Sequence, residues 1–282
     1  MAGDTAEDFR RISHEIAEAI APGWERRRAF IEEVTTPVRE WMIRELAPKP
    51  GDTLLELAAG AGDTGFEAVA IAGEGSRLIS TDFSEAMVEV ARRRGAERGV
   101  QNVEYRVMDA ERIELDADSI DGVLCRFGYM LMADPAKALS ESRRVLRPGG
   151  RLVLAVWSAP ERNPFFSIVA MTLVDRGHMP PPSPDRPSPF SLASEEWMRA
   201  LLERAGFEAV RTEEVPVRFS FDDIDEYLSI TADTAGPIGL ALRGLSEAER
   251  EALKARLEEG FAGFAGDAGY ELPGVALAAA AS

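Results

Sequence analysis

Short apolar segments alternate with amphipathic ones from residue 53 to residue 157, and this alternation constrains the fold more than any other feature. It predicts strands at 53–57, 77–81, 103–107, 120–125 and 151–157, and helices at 64–72, 84–98 and 134–146. Strands joined by helices of these lengths form right-handed crossovers and a parallel sheet that is covered on both faces. The pattern therefore predicts an α/β fold with a doubly wound, Rossmann-like sheet.

Helical periodicity flanks this region on both sides. Apolar residues at helical spacing over 4–47 predict two helices separated at Pro22-Gly23. After residue 157 the predicted elements are a helical stretch at 165–174, a proline-rich surface loop at 180–189, a helix at 194–205, a strand at 208–219, a helical segment at 222–262 and a strand at 275–281. We expect an N-terminal helical cover (1–48), an α/β core (49–157), and a third part (158–282) with the remaining strands and a helical cap.

Composition excludes several classes of protein. With 32 Lys and Arg against 49 Asp and Glu, the formal net charge of −17 disfavours nucleic acid as a partner. One cysteine and two histidines are too few for a common metal centre, so no metal is expected. The chain has no apolar run of about 18 residues, and its start lacks the pattern of a leader peptide, so we expect a cytoplasmic protein without a membrane partner.

A glycine-rich turn follows the first predicted strand. Gly60, Gly62 and Gly65 spell G-x-G-x-x-G at the start of the first helix of the alternating region, where glycine lets the backbone approach a ligand and free N–H groups are available. Asp82, at the end of the second strand, could accept hydrogen bonds from a ribose. These features alone suit NAD, so an NAD(P)-binding oxidoreductase is one alternative.

Two further acidic residues favour a different ligand. Glu56 brings a carboxylate next to the turn, where it would repel a pyrophosphate but suits a ligand with a cationic amine and sulfonium. Asp109 follows the third strand, where a carboxylate can accept from an adenine amino group. Acidic residues at three successive strand ends favour an adenosine-containing ligand without phosphate.

Four segments resemble the class I S-adenosylmethionine-dependent methyltransferases, and are closest to the branch of the ubiquinone/menaquinone C-methyltransferases. They are ELAAGAGDTG at 56–65, TDFSEAMVEVAR at 81–92, MDAERIELDADSIDGVLCRFG at 108–128 and VLRPGG at 145–150. Ala58 stands where the commoner pattern has a glycine. The resemblance covers about residues 50–157, and implies a seven-stranded sheet with an antiparallel last strand and S-adenosyl-L-methionine as the cofactor.

The resemblance also implies roles for individual residues. Glu56 would order the glycine turn, and Asp82 would bind the ribose hydroxyls. The remaining implied contacts are the methionine moiety for Ala58, Gly60 and Gly62, the faces of the adenine for Phe83 and Met87, the adenine edge for Asp109 and Ala110, and the methionine end for Arg126 and Phe127.

Methyl transfer needs few catalytic residues, because the cofactor already activates the carbon that is attacked. The protein must position the nucleophile and exclude water. Three residues are candidate catalytic residues: His14 in the N-terminal helix as a base, Tyr129 in the loop after the fourth strand as a contact to the substrate, and His178 before the prolines as part of a lid. Aromatic residues of the two covers favour a small, apolar or aromatic acceptor, methylated at O, N or C.

The sequence therefore predicts a methyltransferase that acts on a small molecule. A protein of the same fold that uses the cofactor for other chemistry or for sensing is a second alternative, beside the oxidoreductase. The oligomeric state stays open, with a homodimer among the possibilities.

Overall fold

A single sheet forms the centre of the protein, which a computed structural model describes at residues 6–183 and 186–282. Its strands are β1 (Thr53–Glu56), β2 (Arg77–Asp82), β3 (Val103–Val107), β4 (Ile120–Arg126), β5 (Leu146–Trp157), β6 (Arg211–Phe221), β7 (Ala265–Gly266) and β8 (Gly269–Ala281). Every residue of β1 is buried, and since successive side chains point to opposite faces, both faces of the sheet are covered there.

The strand order is β3-β2-β1-β4-β5-β8-β6, with β7 paired to β8 at one side. The first five strands are parallel to one another. Strand β8 runs antiparallel to both β5 and β6. This topology confirms the predicted doubly wound fold and the antiparallel last strand.

Helices surround the sheet. They are α1 (Ala6–Arg26), α2 (Arg28–Leu46), α3 (Asp63–Ala72), α4 (Glu85–Glu97), α5 (Pro135–Val145), α6 (Pro164–Asp175), α7 (Glu195–Arg204), α8 (Ile224–Thr234), α9 (Gly236–Arg243) and α10 (Glu247–Phe261). Helix α2 buries Val38, Trp41 and Met42 in the same hydrophobic core as β1 and β5. Residues 28–46 are therefore part of the main core. The proposed division of the chain at 48 and 157 stays a prediction.

The predicted helix break at Pro22-Gly23 is wrong. Pro22 lies inside α1, and the two helices separate at Arg27 instead. The lack of a Cβ at Gly23 lets α1 approach α8 closely, since a Cβ there would lie 2.3 Å from the Asp233 carbonyl oxygen. Helix α1 continues past Pro22, although proline removes one helical hydrogen bond, and it packs against α8 at this point.

Two strands are longer than the sequence predicts, and the helical segment at 222–262 contains three helices. Strand β8 begins at Gly269 rather than at 275, because it pairs with β6 along its whole length, from Tyr270 opposite Phe221 to Ala280 opposite Arg211. Strand β5 likewise begins at Leu146 rather than at 151. Within 222–262, α10 starts with a capping box at Ser246, close to the predicted start.

The proline-rich segment forms neither helix nor strand where the structure describes it. Ser188 N and Ser191 Oγ donate to the Met130 carbonyl oxygen at 3.2 and 2.7 Å, which attaches this loop to the turn after β4. Pro184 and residues 1–5 lie outside the described residues. Within the described ranges, none of the helices combines the length and the apolar character that crossing a membrane requires.

Candidate cofactor site

The glycine turn between β1 and α3 has an unusual backbone. Ala58, Gly60 and Gly62 all have left-handed φ angles, of 49°, 54° and 81°. Glycine adopts this conformation without strain, and Ala58 is a non-glycine exception of the kind that occurs at functional sites. A Cβ at Gly62 would lie 2.6 Å from the Phe66 ring, so that position also needs glycine for space. The turn lies at the carboxyl edge of the sheet, where Gly60 and Gly62 are buried.

Glu56 connects β1 to the start of α3. Its Oε1 accepts from the Gly65 backbone N–H at 2.9 Å, and a Cβ at Gly65 would lie only 2.3 Å from Oε2. Among the described residues, Oε2 has no hydrogen-bond partner. Burial raises the pKa of Glu56 to about 8, so without a ligand beside it this side chain is largely protonated at neutral pH. A cationic ligand beside it would favour its ionised form.

Asp82 links three segments at the end of β2. Its Oδ2 accepts from the Gly60 N–H and its Oδ1 from the Ser84 N–H, both at 3.0 Å. Burial raises the pKa of Asp82 to about 6, although these backbone donors oppose that rise. The side chain of Ser84 in turn caps α4 by accepting from the Met87 N–H. Asp82 therefore holds the glycine turn beside the start of α4.

A cavity of about 500 Å³ opens beside β2 and β3. Phe83, Met108 and Asp109 line its inner side, and Arg10 and His14 of α1 line its outer side. Asp109 Oδ1 accepts from the Glu111 backbone N–H at 2.8 Å, which fixes the orientation of its carboxylate. The structure thus brings together two of the residues predicted to contact adenine, Phe83 and Asp109, while Ala110 next to them is buried.

Met87, the other residue predicted to contact a face of the adenine, does not line this cavity. It is buried in a small cluster with Ala61 of the glycine turn and Ile20 and Ala21 of α1. Trp24 packs against the same cluster, and its ring lies 3.7 Å from the position that a Cβ of Gly60 would take. Helix α1 therefore covers the glycine turn.

Arg126 is the last residue of β4, and Phe127 follows it beside the turn. A Cβ at Gly128 would lie 2.7 Å from the Ala58 Cβ, which shows how closely the two segments approach. Phe127 has a left-handed φ of 61°, and its ring stacks on Trp157 with centroids 4.2 Å apart. The Arg126 guanidinium donates to the Thr35 hydroxyl of α2.

The three candidate catalytic residues occupy different places. Tyr129 is fully buried, and its hydroxyl lies 2.6 Å from Ser142 Oγ of α5, so the structure positions it as a core residue. His178 pairs with Glu249 of α10 at 3.6 Å. His14 packs edge-on against Phe83, with ring centroids 5.6 Å apart, and so lies at the outer side of the cavity rather than beside Arg126 and Phe127. The structure does not bring these residues together.

Sequence reasoning missed Glu18 of α1, which contacts the start of α4. Glu18 Oε1 accepts from Ser84 Oγ at 2.7 Å and from the Ala86 N–H at 3.2 Å. The hydrogen bond from Ser84 lowers the pKa of Glu18. Its only sequence signal is a place on an amphipathic helix, which does not reveal which distant segment the helix covers.

The sheet order, the glycine turn and the acids at the strand ends define a protein with the fold of the class I methyltransferases. A family model described as the ubiE/COQ5 methyltransferase family matches residues 34–180. The chain belongs to this family. The predicted resemblance is thus confirmed, and so is the predicted class of S-adenosylmethionine-dependent methyltransferase, at the level of the family.

Individual relatives agree with this. A demethylmenaquinone methyltransferase from Clavibacter sepedonicus is 44% identical over 117 residues, which are 42% of this chain and 46% of the relative. A ubiquinone/menaquinone biosynthesis C-methyltransferase from Acidiphilium cryptum is 33% identical over 177 residues, 58% of this chain and 69% of the relative. The chain spans about half the length of several of the curated relatives that it matches.

A solved structure shares the fold. The crystal structure of an S-adenosylmethionine-dependent methyltransferase from Aquifex aeolicus superimposes with a TM-score of 0.51 and 23% identity, covering 72% of this chain and 92% of that chain. At that identity the likeness supports the fold alone.

Proposed function

We propose that this protein transfers a methyl group from S-adenosylmethionine to a small molecule with an apolar or aromatic group. The observation that carries the proposal is the arrangement at Asp82, which joins the glycine turn to the start of α4 beside a cavity of about 500 Å³. A buried carboxylate there is suited to accept hydrogen bonds from a ribose, because its two oxygens have more acceptor sites than the Gly60 and Ser84 donors occupy.

The residues at the carboxyl edge fit this cofactor. Phe83 and Asp109 line the cavity, where an adenine can be stacked and its amino group can donate to a carboxylate. Glu56 has a buried oxygen without a partner among the described residues, which suits a ligand with cationic groups. Ala58, Gly60 and Gly62 would then lie along the methionine moiety.

When bound, S-adenosylmethionine supplies a methyl group already activated by the positive charge on sulfur. The chain would contribute orientation and exclusion of water. Trp24 and its neighbours on α1 cover the glycine turn and keep solvent away from it. No protein group has to form a covalent bond with the acceptor.

Aromatic side chains beside the end of β4 support an apolar acceptor. Phe127 stacks on Trp157, and Trp157 contacts Phe166 of α6 with ring centroids 5.0 Å apart. Phe127 and Phe166 are only partly buried, so they offer apolar surface near the methionine end. Since two relatives are named for menaquinone or ubiquinone methylation, hydroquinones come first among the acceptors to be tested.

Calorimetric titration of the purified protein with S-adenosylmethionine, S-adenosylhomocysteine and NAD in parallel tests the cofactor. We expect binding of the first two and none of NAD. Incubation with S-adenosylmethionine and a panel of short-chain hydroquinones, phenols and aromatic amines, followed by mass spectrometry, then tests methyl transfer. Binding of NAD alone would contradict the proposal, and cofactor binding without any methylated product across the panel would favour sensing or other chemistry.

A further inference from the structure

Arg126 is the last residue of β4, which pairs with β1 just before the glycine turn, and its guanidinium has no carboxylate partner among the described residues. It donates to the hydroxyl of Thr35, whose Oγ1 donates to the Ile31 carbonyl oxygen at 2.6 Å. The Thr35 hydroxyl therefore has its only hydrogen engaged, and must accept from Arg126. This arrangement holds Arg126 in one orientation, with most of its five N–H donors left for other groups.

The neighbouring arginines are paired, in contrast. Arg39 forms an ion pair with Glu67 at 2.6 Å, and Arg94 forms one with Asp63. Within residues 6–183 and 186–282, no ion pair at 4.0 Å or less includes Arg126. Burying a cation without a counter-charge costs free energy. Ion pairs reduce this cost for Arg39 and Arg94, whereas Arg126 has no ion pair among the described residues.

Nearby acids compensate the charge of Arg126 only in part. Burial lowers the pKa of Arg126, and the more distant charges of Asp63 and Glu56 oppose that effect only in part. Asp63 is already bound by Arg94 and by Arg98. Burial raises the pKa of Glu56 to about 8, so at neutral pH it contributes little negative charge.

The position of Arg126 indicates which ligand could supply a negative charge to it. Arg126 ends β4, and two residues later Gly128 comes close to Ala58 of the glycine turn, so a ligand that lies along the turn passes the end of β4. A guanidinium binds a planar carboxylate through two parallel hydrogen bonds, a geometry that few other anions match as well.

We propose that Arg126, oriented by Thr35, is a carboxylate-binding residue of the proposed cofactor site. The carboxylate is either that of the amino-acid end of the cofactor or one on the acceptor. The inference rests on the proposed function, because it assumes that the cofactor and the acceptor meet beside the glycine turn.

Paired ligands distinguish the two sources. S-adenosylhomocysteine and 5′-methylthioadenosine share the adenosine and the thioether sulfur, but only the first has an amino-acid group. If Arg126 binds that carboxylate, Arg126→Gln weakens S-adenosylhomocysteine binding by about 10-fold to 100-fold and leaves 5′-methylthioadenosine binding unchanged. Arg218→Gln is the matched control, since Arg218 is an exposed arginine of β6 that pairs with Glu271.

The acceptor arm uses benzoate, an aromatic carboxylate, added to protein saturated with S-adenosylhomocysteine and followed by ligand-observed nuclear magnetic resonance. If the carboxylate belongs to the acceptor, the wild-type protein binds benzoate, Arg126→Gln does not, and the two bind S-adenosylhomocysteine equally. If Arg126→Gln matches Arg218→Gln in both arms, the inference is wrong.

A second variant guards against loss of folding. Thr35→Val keeps the shape of the side chain and removes the hydroxyl, so it should weaken the same carboxylate ligand a few-fold without changing 5′-methylthioadenosine binding. If instead the proposed function is wrong, the wild-type protein binds neither S-adenosylhomocysteine nor 5′-methylthioadenosine. The benzoate experiment, run without these two compounds, then tests the inference alone.

Discussion

At the scale of single residues, the site depends on two buried acids whose environments differ. Asp82 has two backbone donors, whereas Glu56 has one and an oxygen without a partner among the described residues. Both positions could be predicted from the sequence, because each acid follows or ends a strand of a parallel sheet. Their protonation could not be, since it depends on burial and on donors from other segments.

Asp82→Asn should weaken S-adenosylhomocysteine binding by about 1.5–3 kcal/mol, because it removes a charged hydrogen-bond acceptor. The amide oxygen still accepts from one backbone donor, so the fold should persist. Calorimetry measures the affinity, and Asp175→Asn, an exposed position at the end of α6, is the control. Equal affinities in the two variants would show that Asp82 does not contact the ligand.

Glu56 should make stability depend on pH. Its folded-state pKa is raised from 4.5 to about 8, so the folded protein binds more protons than the unfolded chain between these values. The free energy of unfolding therefore falls as pH rises from about 4.5 to about 8, with about 1.4 kcal/mol for each unit of pKa shift as an upper limit.

Glu56→Gln should remove this contribution, so that the variant loses less stability than wild type over that pH range. Urea unfolding at several pH values measures the difference, with Glu74→Gln at an exposed position as the control. Parallel pH profiles of wild type and Glu56→Gln would contradict the assignment.

At the scale of elements, α1 is the part of the structure that the sequence predicted least completely. Its helical character follows from the apolar spacing, but its boundary near Pro22 does not, because contact with α8 outweighs the local effect of proline. Its position over α4 depends on side-chain contacts such as Glu18 with Ser84.

Glu18→Ala should therefore loosen α1 from α4 while changing the free energy of unfolding by less than about 1 kcal/mol, since the contact is partly exposed. Hydrogen exchange of the α1 amides should become faster than in Glu15→Ala, a control variant on the same helix that breaks an exposed pair with Arg11. Identical exchange in both variants would mean that Glu18 does not hold α1 in place.

At the scale of the whole molecule, the proposed cofactor site is built from segments far apart in the chain. The glycine turn, the ends of β2 and β4, and helix α1 all contribute, so a ligand that binds there stabilises the folded state against the unfolded chain. S-adenosylhomocysteine at 100 times its dissociation constant should add about 2.7 kcal/mol and raise the melting temperature by roughly 5 °C. Thermal unfolding monitored by circular dichroism measures this. The shift should be smaller in Asp82→Asn at the same ligand concentration, and a shift with NAD but not with S-adenosylhomocysteine would contradict the cofactor assignment.

The sequence by itself determined the order of strands and helices, the glycine turn, and acids at the ends of β1, β2 and β3. These are local features, because hydrophobic period and turn residues report burial and backbone conformation within a few residues. The tertiary structure decided which helix covers the site, that Tyr129 is a core residue, and that Arg126 meets Thr35. Such contacts join residues 66 apart for Glu18 and Ser84, and 91 apart for Thr35 and Arg126. They arise from how whole elements pack, which no local pattern encodes.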